Sequence, residues 1–572
     1  MRRLALAVFS VFIILACCVV ALRTQSLDGR VAAAPRLSPS LMVAAGPSSS
    51  CAILTDGNLK CWGMNDVGNL GLGNTSNMGD GSSEVGTGLP TVDIGQTVKY
   101  VASGMRHTTC AIRADDKTVC WGNGYDYMLG TGVTSVYVGD ESGEMGSALT
   151  PIDFGIYNAV SLAIGELHAC ALLTSAEVKC WGTNTYGQLG VDGNVQTLAQ
   201  MGSSWPSVNL GVGRTALAIT TGYTHTCALL DTHDVKCWGL NDYGQLGYGD
   251  TFNRGYAALS SDMPTVNLGT GRTAQAIAAG GFFTCALLDD GSVKCWGFNI
   301  RGQLGQNSID TLGDDSNEMG DNLPAIFLGT DRTATQIAVS KSGSVPFVCA
   351  ILDDNTLKCW GSNMAGQLGL GDTNNRGDDT DEMLTLGTVN LGTGQVPAQL
   401  AIGDKHTCVL LTSTNIKCFG EGDFGQLANG TGASYGSRSA DMGDALPIVD
   451  LDGVSPTATI TPTASKTATP NITSTPSKTL TRSKTPTRSN TKTKTPTKSN
   501  TPTRSKTPTR SKTLTRSKTP TKTRTLTRSK TATKTRTLTR SKTATKTATK
   551  TATKTATKTA TKTPVTTLTP TP

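Results

Sequence analysis

C-A-L-L-D-D-G-S-V-K-C-W-G, residues 285–297, repeats the pattern of C-A-I-L-T-D-G-N-L-K-C-W-G, residues 51–63, and five further copies begin at Cys110, Cys170, Cys227, Cys349 and Cys408. Successive copies start 59, 60, 57, 58, 64 and 59 residues apart. That period is too long for a stack of helical pairs and long enough for a four-stranded antiparallel sheet with one extended loop. Within each copy, apolar and β-favouring residues alternate in short runs punctuated by Gly, Asp and Asn, with no sustained 3.6-residue period, which is the pattern of strands. Seven such sheets suit a closed ring. The sequence therefore predicts an all-β fold, a seven-bladed β-propeller over residues 37–453 with almost no helix.

In the copy around Cys285, four strands are expected at residues 264–269, 276–280, 284–288 and 293–297, followed by an irregular loop ending near the G-Q-L-G of residues 302–305. The array enters at residues 41–46, in the second strand of a repeat, and ends at residues 447–451, which match the first strand. The last strand is accordingly expected to complete the first blade and so hide the edges an open sheet would expose.

Sixteen cysteines are present, and fourteen of them form seven C-x9-C pairs: Cys51 with Cys61, Cys110 with Cys120, Cys170 with Cys180, Cys227 with Cys237, Cys285 with Cys295, Cys349 with Cys359 and Cys408 with Cys418. Each pair flanks a predicted hairpin. A three-residue loop such as Thr55-Asp56-Gly57 sets Cys51 opposite Cys61, and a non-hydrogen-bonded cross-strand pair lies about 4.5 Å apart at Cα, inside the disulfide range. Gly57, Gly291 and Asn355 suit the left-handed position of that loop, whereas Ala176, His233 and Thr414 suit it less well. Metal binding is the rival reading, but two cysteines nine residues apart with no His or Cys partner nearby make half a zinc site. Paired cysteines fit an oxidising compartment.

The 572 residues and formal charge of +8 divide into three pieces. Residues 1–22 place Arg2 and Arg3 before an apolar run from Leu4 to Leu22 that is closed by Arg23, the order of a secretory signal peptide, with Val19 and Ala21 at a small-residue cleavage site. The run is also long enough to serve as an uncleaved signal anchor. A lipoprotein signal at Cys17 is a lesser alternative. Cleaved or anchored, the remaining chain is expected across the membrane, secreted or at the cell surface.

Charge separates the other two pieces. Residues 51–453 carry 19 Lys or Arg against 42 Asp or Glu, while residues 454–572 carry 27 Lys or Arg and no acid. The latter are mostly Thr, Ser, Pro, Ala, Lys and Arg, in near-repeats such as T-P-T-R-S-K at residues 501–506, and nothing there can build a core; a disordered tail is expected. Such a tail reads as an extended, O-glycosylated stalk that binds polyanions or folds back onto the acidic repeats. A nuclear, chromatin-binding tail is the competing reading. No apolar segment closes the sequence, so no C-terminal membrane or lipid anchor is expected.

The block G-Y-T-H-T-C-A-L-L-D-T-H-D-V-K-C-W-G-L-N-D-Y-G-Q-L-G, residues 222–247, resembles the repeat of the regulator of chromosome condensation family. The likeness recurs seven times, with departures at Asn69, at Tyr127 and Met128, and at Phe419 and Ala428. The resemblance implies a seven-bladed propeller. It also brings nucleotide exchange on a small GTPase, the activity of the nuclear founding members, although the fold serves secreted propellers too, among them a bacterial β-lactamase-inhibiting protein. No exchange-promoting loop can be matched residue by residue.

His168, His225 and His406 stand two residues before the first cysteine of their copies, where Ser49, Thr108, Phe283 and Phe347 stand elsewhere. A residue repeated around a ring, and replaced by Phe, reads as packing with a local hydrogen bond, and equivalent positions about 10 Å apart are too far to share an ion. The tryptophans after the second cysteine likewise read as packing. Acidic loops at residues 139–144, 314–318 and 378–382 offer oxygen ligands for calcium but lack EF-hand spacing, and read first as solvated loops. Asn74, Asn429 and Asn471 head glycosylation sequons. No P-loop, zinc-protease helix or nucleophile elbow appears. The expected function is therefore a monomeric module that binds an extracellular protein or glycan, with no catalytic residue, cofactor or metal. The alternatives are a guanine-nucleotide exchange factor for a small GTPase and a carbohydrate-active enzyme using loop carboxylates.

Overall fold

The computed structural model describes residues 41–133, 136–192, 204–256 and 263–452. The segment of residues 1–22 read as a signal, the basic tail and Asn471 lie outside the described residues. Seven antiparallel sheets follow one another along the chain. The fifth is typical. Its inner strand is Ala274–Ala279, its middle strand Phe283–Leu288 and its outer strand Val293–Gly297. Middle and outer strands are buried throughout, so they read as near-continuous apolar runs with polar residues only at special positions. The inner strands touch their neighbours in an unbroken cycle, each blade to the next and the seventh, Pro397–Ile402, to the first, Met42–Ala45. That cycle is a closed seven-bladed propeller. The one α-helix among the described residues is the four-residue turn Glu382–Thr385.

The expected first strand of each blade is displaced. Residues 264–269 do not join the sheet that follows them; the Val266 N–H donates instead to the Val235 carbonyl at 2.8 Å, on the outer strand of the blade before. The same single bond recurs at Val92, Ile152, Val208, Ile326, Val389 and Val449. Hence the last segment does not complete the first blade. Ile448 bridges Lys417, so the seventh blade, like the others, is made from one contiguous stretch. An Asx turn ends the pairing after this one bond. Asn267 Oδ1 accepts the Gly269 N–H at 3.1 Å, and Asp93, Asp153, Asn209, Asn390 and Asp450 do the same two residues on. Among the described residues, a further outer contact is a true strand only in the second blade, Tyr137–Val138, and a single bridge to Gly63, Gly239, Gly297, Gly361 and Gly420 in five others.

Every C-x9-C pair is a directly opposed pair across the middle and outer strands, with Cα atoms 4.0 to 4.1 Å apart, and all seven are joined as disulfides. The hairpins between them adopt φ > 0 at one position regardless of the residue there: Gly57, Asp116, Ala176, His233, Gly291, Asn355 and Thr414. The fixed register, not the side chain, therefore sets the turn. A β-branched residue is the worst occupant of the left-handed region. Thr414→Gly is expected to stabilise the fold by about 0.5–1 kcal/mol, read from urea unfolding, with no change in disulfide pairing.

Adjacent blades are fastened by the indoles. Trp238 Nε1 donates to the Gln188 carbonyl of the preceding blade at 3.0 Å, and Trp121, Trp181, Trp296 and Trp360 repeat the contact on Asn69, Met128, Gln245 and Gln303. Trp62 reaches Gln426 of the seventh blade at 3.0 Å, which locks the ring shut. Phe419 has no such donor. The first glycine of G-Q-L-G is needed for close approach: at Gly244, φ is +71° and a Cβ would overlap the backbone of Gly313 and Asp314 in the next blade.

Candidate functional site at the mouth of the ring

The turns from inner to middle strand, and the segments that follow the outer strands, share one face of the propeller. Seven equivalent backbone bonds join them, for example Leu240 N–H to Thr224 O at 3.0 Å and Phe298 N–H to Phe282 O at 2.9 Å. We call this face the mouth. The disulfide-bridged hairpins lie at the opposite face. Met42 pairs with Ile53 beside the first hairpin and Val449 bonds Ile416 beside the last, so both ends of the described ring lie at the hairpin face.

Most polar residues that repeat around the ring are occupied in holding it. Nε2 of His168 lies 2.8 Å from Thr226 Oγ1 of the next blade, and that hydroxyl donates to the Gln188 carbonyl at 2.9 Å. His225 with Thr284, and His406 with Ser50, repeat the arrangement at 3.0 and 2.9 Å. At Thr226 and Thr284 the hydroxyl's proton goes to a main-chain carbonyl at 2.9 Å, so Nε2–H of His168 and His225 is the donor to the hydroxyl. Lys294 and Lys417, buried on outer strands, donate to two main-chain carbonyls each. The acidic loops are self-contained. Glu144, Glu318 and Glu382 each turn one carboxylate oxygen onto the N–H groups of their own loop, as does Glu84. Among the described residues, no three His, Cys, Asp or Glu side chains converge as metal ligands. Asn74 is exposed, and Asn429 is half-buried with its amide donated to Ala433 O.

Burial pushes His168 and His225 down to about 3 and His406 to about 4; the charges of His225 and Lys341 add to the effect at His168. The folded values lie below the ordinary 6.5, so the unfolded chain takes up protons first as pH falls. This part of the stability is complete above pH 6.5 and is lost on acidification toward 4. His225→Phe, which installs the side chain found at Phe283 and Phe347, is expected to flatten the fall in urea midpoint between pH 6.5 and 4.

The residues that break the repetition gather at the mouth. Its turns carry Arg106, Glu166, Tyr223, Phe282, Asp404 and Lys405, with Lys341 on a longer turn in the sixth blade. Neighbouring turns bond in series: Met105 N–H to Gly165 O, Glu166 N–H to Tyr223 O, Tyr223 N–H to Gly281 O, and Asp404 N–H to Pro47 O. Arg106 pairs with Asp126 at 2.6 Å and lies 3.7 Å from Glu166; Lys405 pairs with Glu421 at 2.7 Å. Lys341 crosses from the sixth blade to the third, donating to Ile164 O at 2.5 Å. Burial pushes Glu166 up to about 7 against the pull of Arg106, with Asp404 and Asp126 adding to the rise. Burial likewise raises Asp404 to about 7 against Lys405.

The other side of the mouth is aromatic. Tyr223 and Phe282 stand 5.0 Å apart, Tyr243 lies 5.5 Å from Phe282, and Tyr243 lies 4.5 Å from Phe298. Ile300 and Met364, on the segments that follow the fifth and sixth outer strands, are 42% and 53% exposed. An aromatic half facing a charged half is the surface chemistry of a protein interface.

None of these residues belongs to a repeated motif, so the repeat pattern does not single them out. Two signals were present. The variable positions between the turn glycine and the first cysteine hold Arg106, Glu166, Tyr223, Phe282 and Asp404, and the 64-residue spacing before Cys349 marks the longer turn, residues 340–346, that carries Lys341.

Residues 43–69, 159–188, 217–245, 274–303 and 398–426 match the family described as "Regulator of chromosome condensation (RCC1) repeat", and a second family of the same description matches residues 234–287. The chain is similar to the ultraviolet-B receptor UVR8 of Arabidopsis thaliana, 27% identical over 73% of this chain and 83% of that protein. It is also similar to the E3 ubiquitin-protein ligase HERC2 of Homo sapiens, 26% identical over 68% of this chain but spanning only 7% of the ligase. Among solved structures, human WBSCR16 aligns with a TM-score of 0.50 at 18% identity, over 66% of this chain and 88% of that one, a likeness of fold alone. With seven copies of one repeat, five of them matched by a single family, and seven blades closed in one ring, this chain belongs to the regulator of chromosome condensation repeat family.

Proposed function

We propose that this chain is an exported binding propeller whose mouth engages a protein partner outside the cell, while the basic tail spaces or tethers it on an anionic surface. The observation that carries the reading is the gathering of the non-repeating aromatic and charged side chains on one face. Seven buried disulfides support an oxidising compartment. Both ends of the described ring lie at the hairpin face. The ultraviolet-B receptor UVR8 is a relative matched over most of its length. The ligase activity of HERC2 is not part of the proposal, because the match spans so little of it.

The test is capture from the extracellular fraction of the source on immobilised full-length chain. Tyr243→Ser with Ile300→Glu at the mouth is expected to abolish retention of the partner, and Lys117→Glu at a hairpin is expected to leave it intact. Loss in the hairpin variant alone would contradict the choice of face. Retention of glycans in place of protein would revise the partner class. Accelerated nucleotide release from a small GTPase would favour the exchange activity of the family's founding members.

A further inference from the structure

We propose that the mouth receives a basic side chain, an ammonium or guanidinium presented by the partner polypeptide, between Glu166 and Asp404. The inference rests on the reading of the mouth as a binding face and names what that face recognises. Glu166 belongs to the third blade and Asp404 to the seventh, which are not neighbours in the ring. Even so, Lys341 of the sixth blade reaches Ile164 O of the third at 2.5 Å, so opposite blades approach within one side chain's length at the mouth, and Glu166, Tyr223 and Asp404 stand on the turns around it.

Glu166 Oε2 and Asp404 Oδ1 are each buried without a hydrogen-bond partner. A buried carboxylate oxygen with no donor is costly, and the fold has not supplied a donor from within. The cations beside them are engaged elsewhere: Arg106 holds Asp126, Lys405 holds Glu421, and Lys341 donates to Ile164 O. Glu166 Oε1 keeps only the longer contact to Arg106, at 3.7 Å.

A ligand with several N–H donors on one positive group would satisfy both orphan oxygens at once. The ring of Tyr223, packed at a tilt against Phe282, adds a face that favours a cation. The chain's own tail has 27 Lys or Arg and the same chemistry. A separate partner as the source follows from the reading of the mouth as a binding face.

The test uses full-length protein with N-acetyl-arginine amide and N-acetyl-lysine amide as probes and N-acetyl-citrulline amide as the uncharged control, followed by ligand-detected NMR. The charged probes are expected to bind and citrulline not. Glu166→Gln with Asp404→Asn is expected to weaken the charged probes at least tenfold, with disulfide pairing and circular dichroism unchanged. Binding should also weaken from pH 8 to pH 6, as both carboxyls, raised to about 7, take up protons and the neighbouring Lys341, lowered to about 8 by burial, gains charge. Equal binding of citrulline, or an undiminished double variant, would overturn the proposal. Carbodiimide coupling of Glu166 or Asp404 to a tail lysine would overturn the choice of a separate partner. Should the probes fail while Tyr243→Ser with Ile300→Glu still abolishes partner capture, the binding face stands and only this recognition is lost.

Discussion

Full reduction of the seven disulfides is expected to unfold the ring. Each bridge closes a loop of about ten residues, worth roughly 2–3 kcal/mol in the chain-entropy model. Seven together exceed the roughly 5–15 kcal/mol by which a domain is ordinarily stable. The cysteine pairs are almost wholly buried, so reductant acts only on opened molecules. Loss of structure should therefore be slow in buffer and fast in sub-denaturing urea. A single pair removed as Cys227→Ala with Cys237→Ala is expected to cost about 2–3 kcal/mol in urea unfolding and to leave the fold intact. A fully reduced protein that keeps its near-ultraviolet circular dichroism would show that the blades need no staples.

Trp238→Ala is expected to destabilise the protein by about 3–5 kcal/mol, the cost of emptying a buried indole site. Trp238→Phe should cost about 1 kcal/mol, because it removes the bond to Gln188 O and little of the packing. The carbonyl keeps its second donor, Thr226 Oγ1, so the smaller variant leaves no buried acceptor unpaired. Phe419 shows that one blade already tolerates this arrangement. Equal losses for Ala and Phe would mean that the interblade bond, not the packing, carries the contact. Thermal or urea unfolding of the two variants separates these outcomes.

The architecture was legible because a propeller writes itself seven times. Cys, Trp, Gly and the hairpin loop recur at one spacing, and each recurrence reports the same backbone geometry. The blade boundary was misread because a run such as residues 264–269 looks like a strand on either side of its Asx turn. Alternation says that a segment is extended, but it does not say which neighbour takes its hydrogen bond. The hairpin position held by Ala176, His233 and Thr414 shows the converse, since the register set by the flanking strands overrides local preference. The mouth was invisible for the reason that made the fold visible. Glu166, Asp404 and Lys341 sit where the repeat varies, and only closure of the ring brings blades three, six and seven together. Their burial and their unmatched oxygens follow from that closure.

The most direct test of the account is mass spectrometry, without reduction, of protein recovered separately from the medium and from cells, mapping the N-terminus and the fourteen cysteines of the repeats. The expected result is exported protein that begins after the apolar segment, or remains anchored by it, and carries seven bridges, each within one C-x9-C pair. Protein confined to the cell interior with free thiols would contradict it.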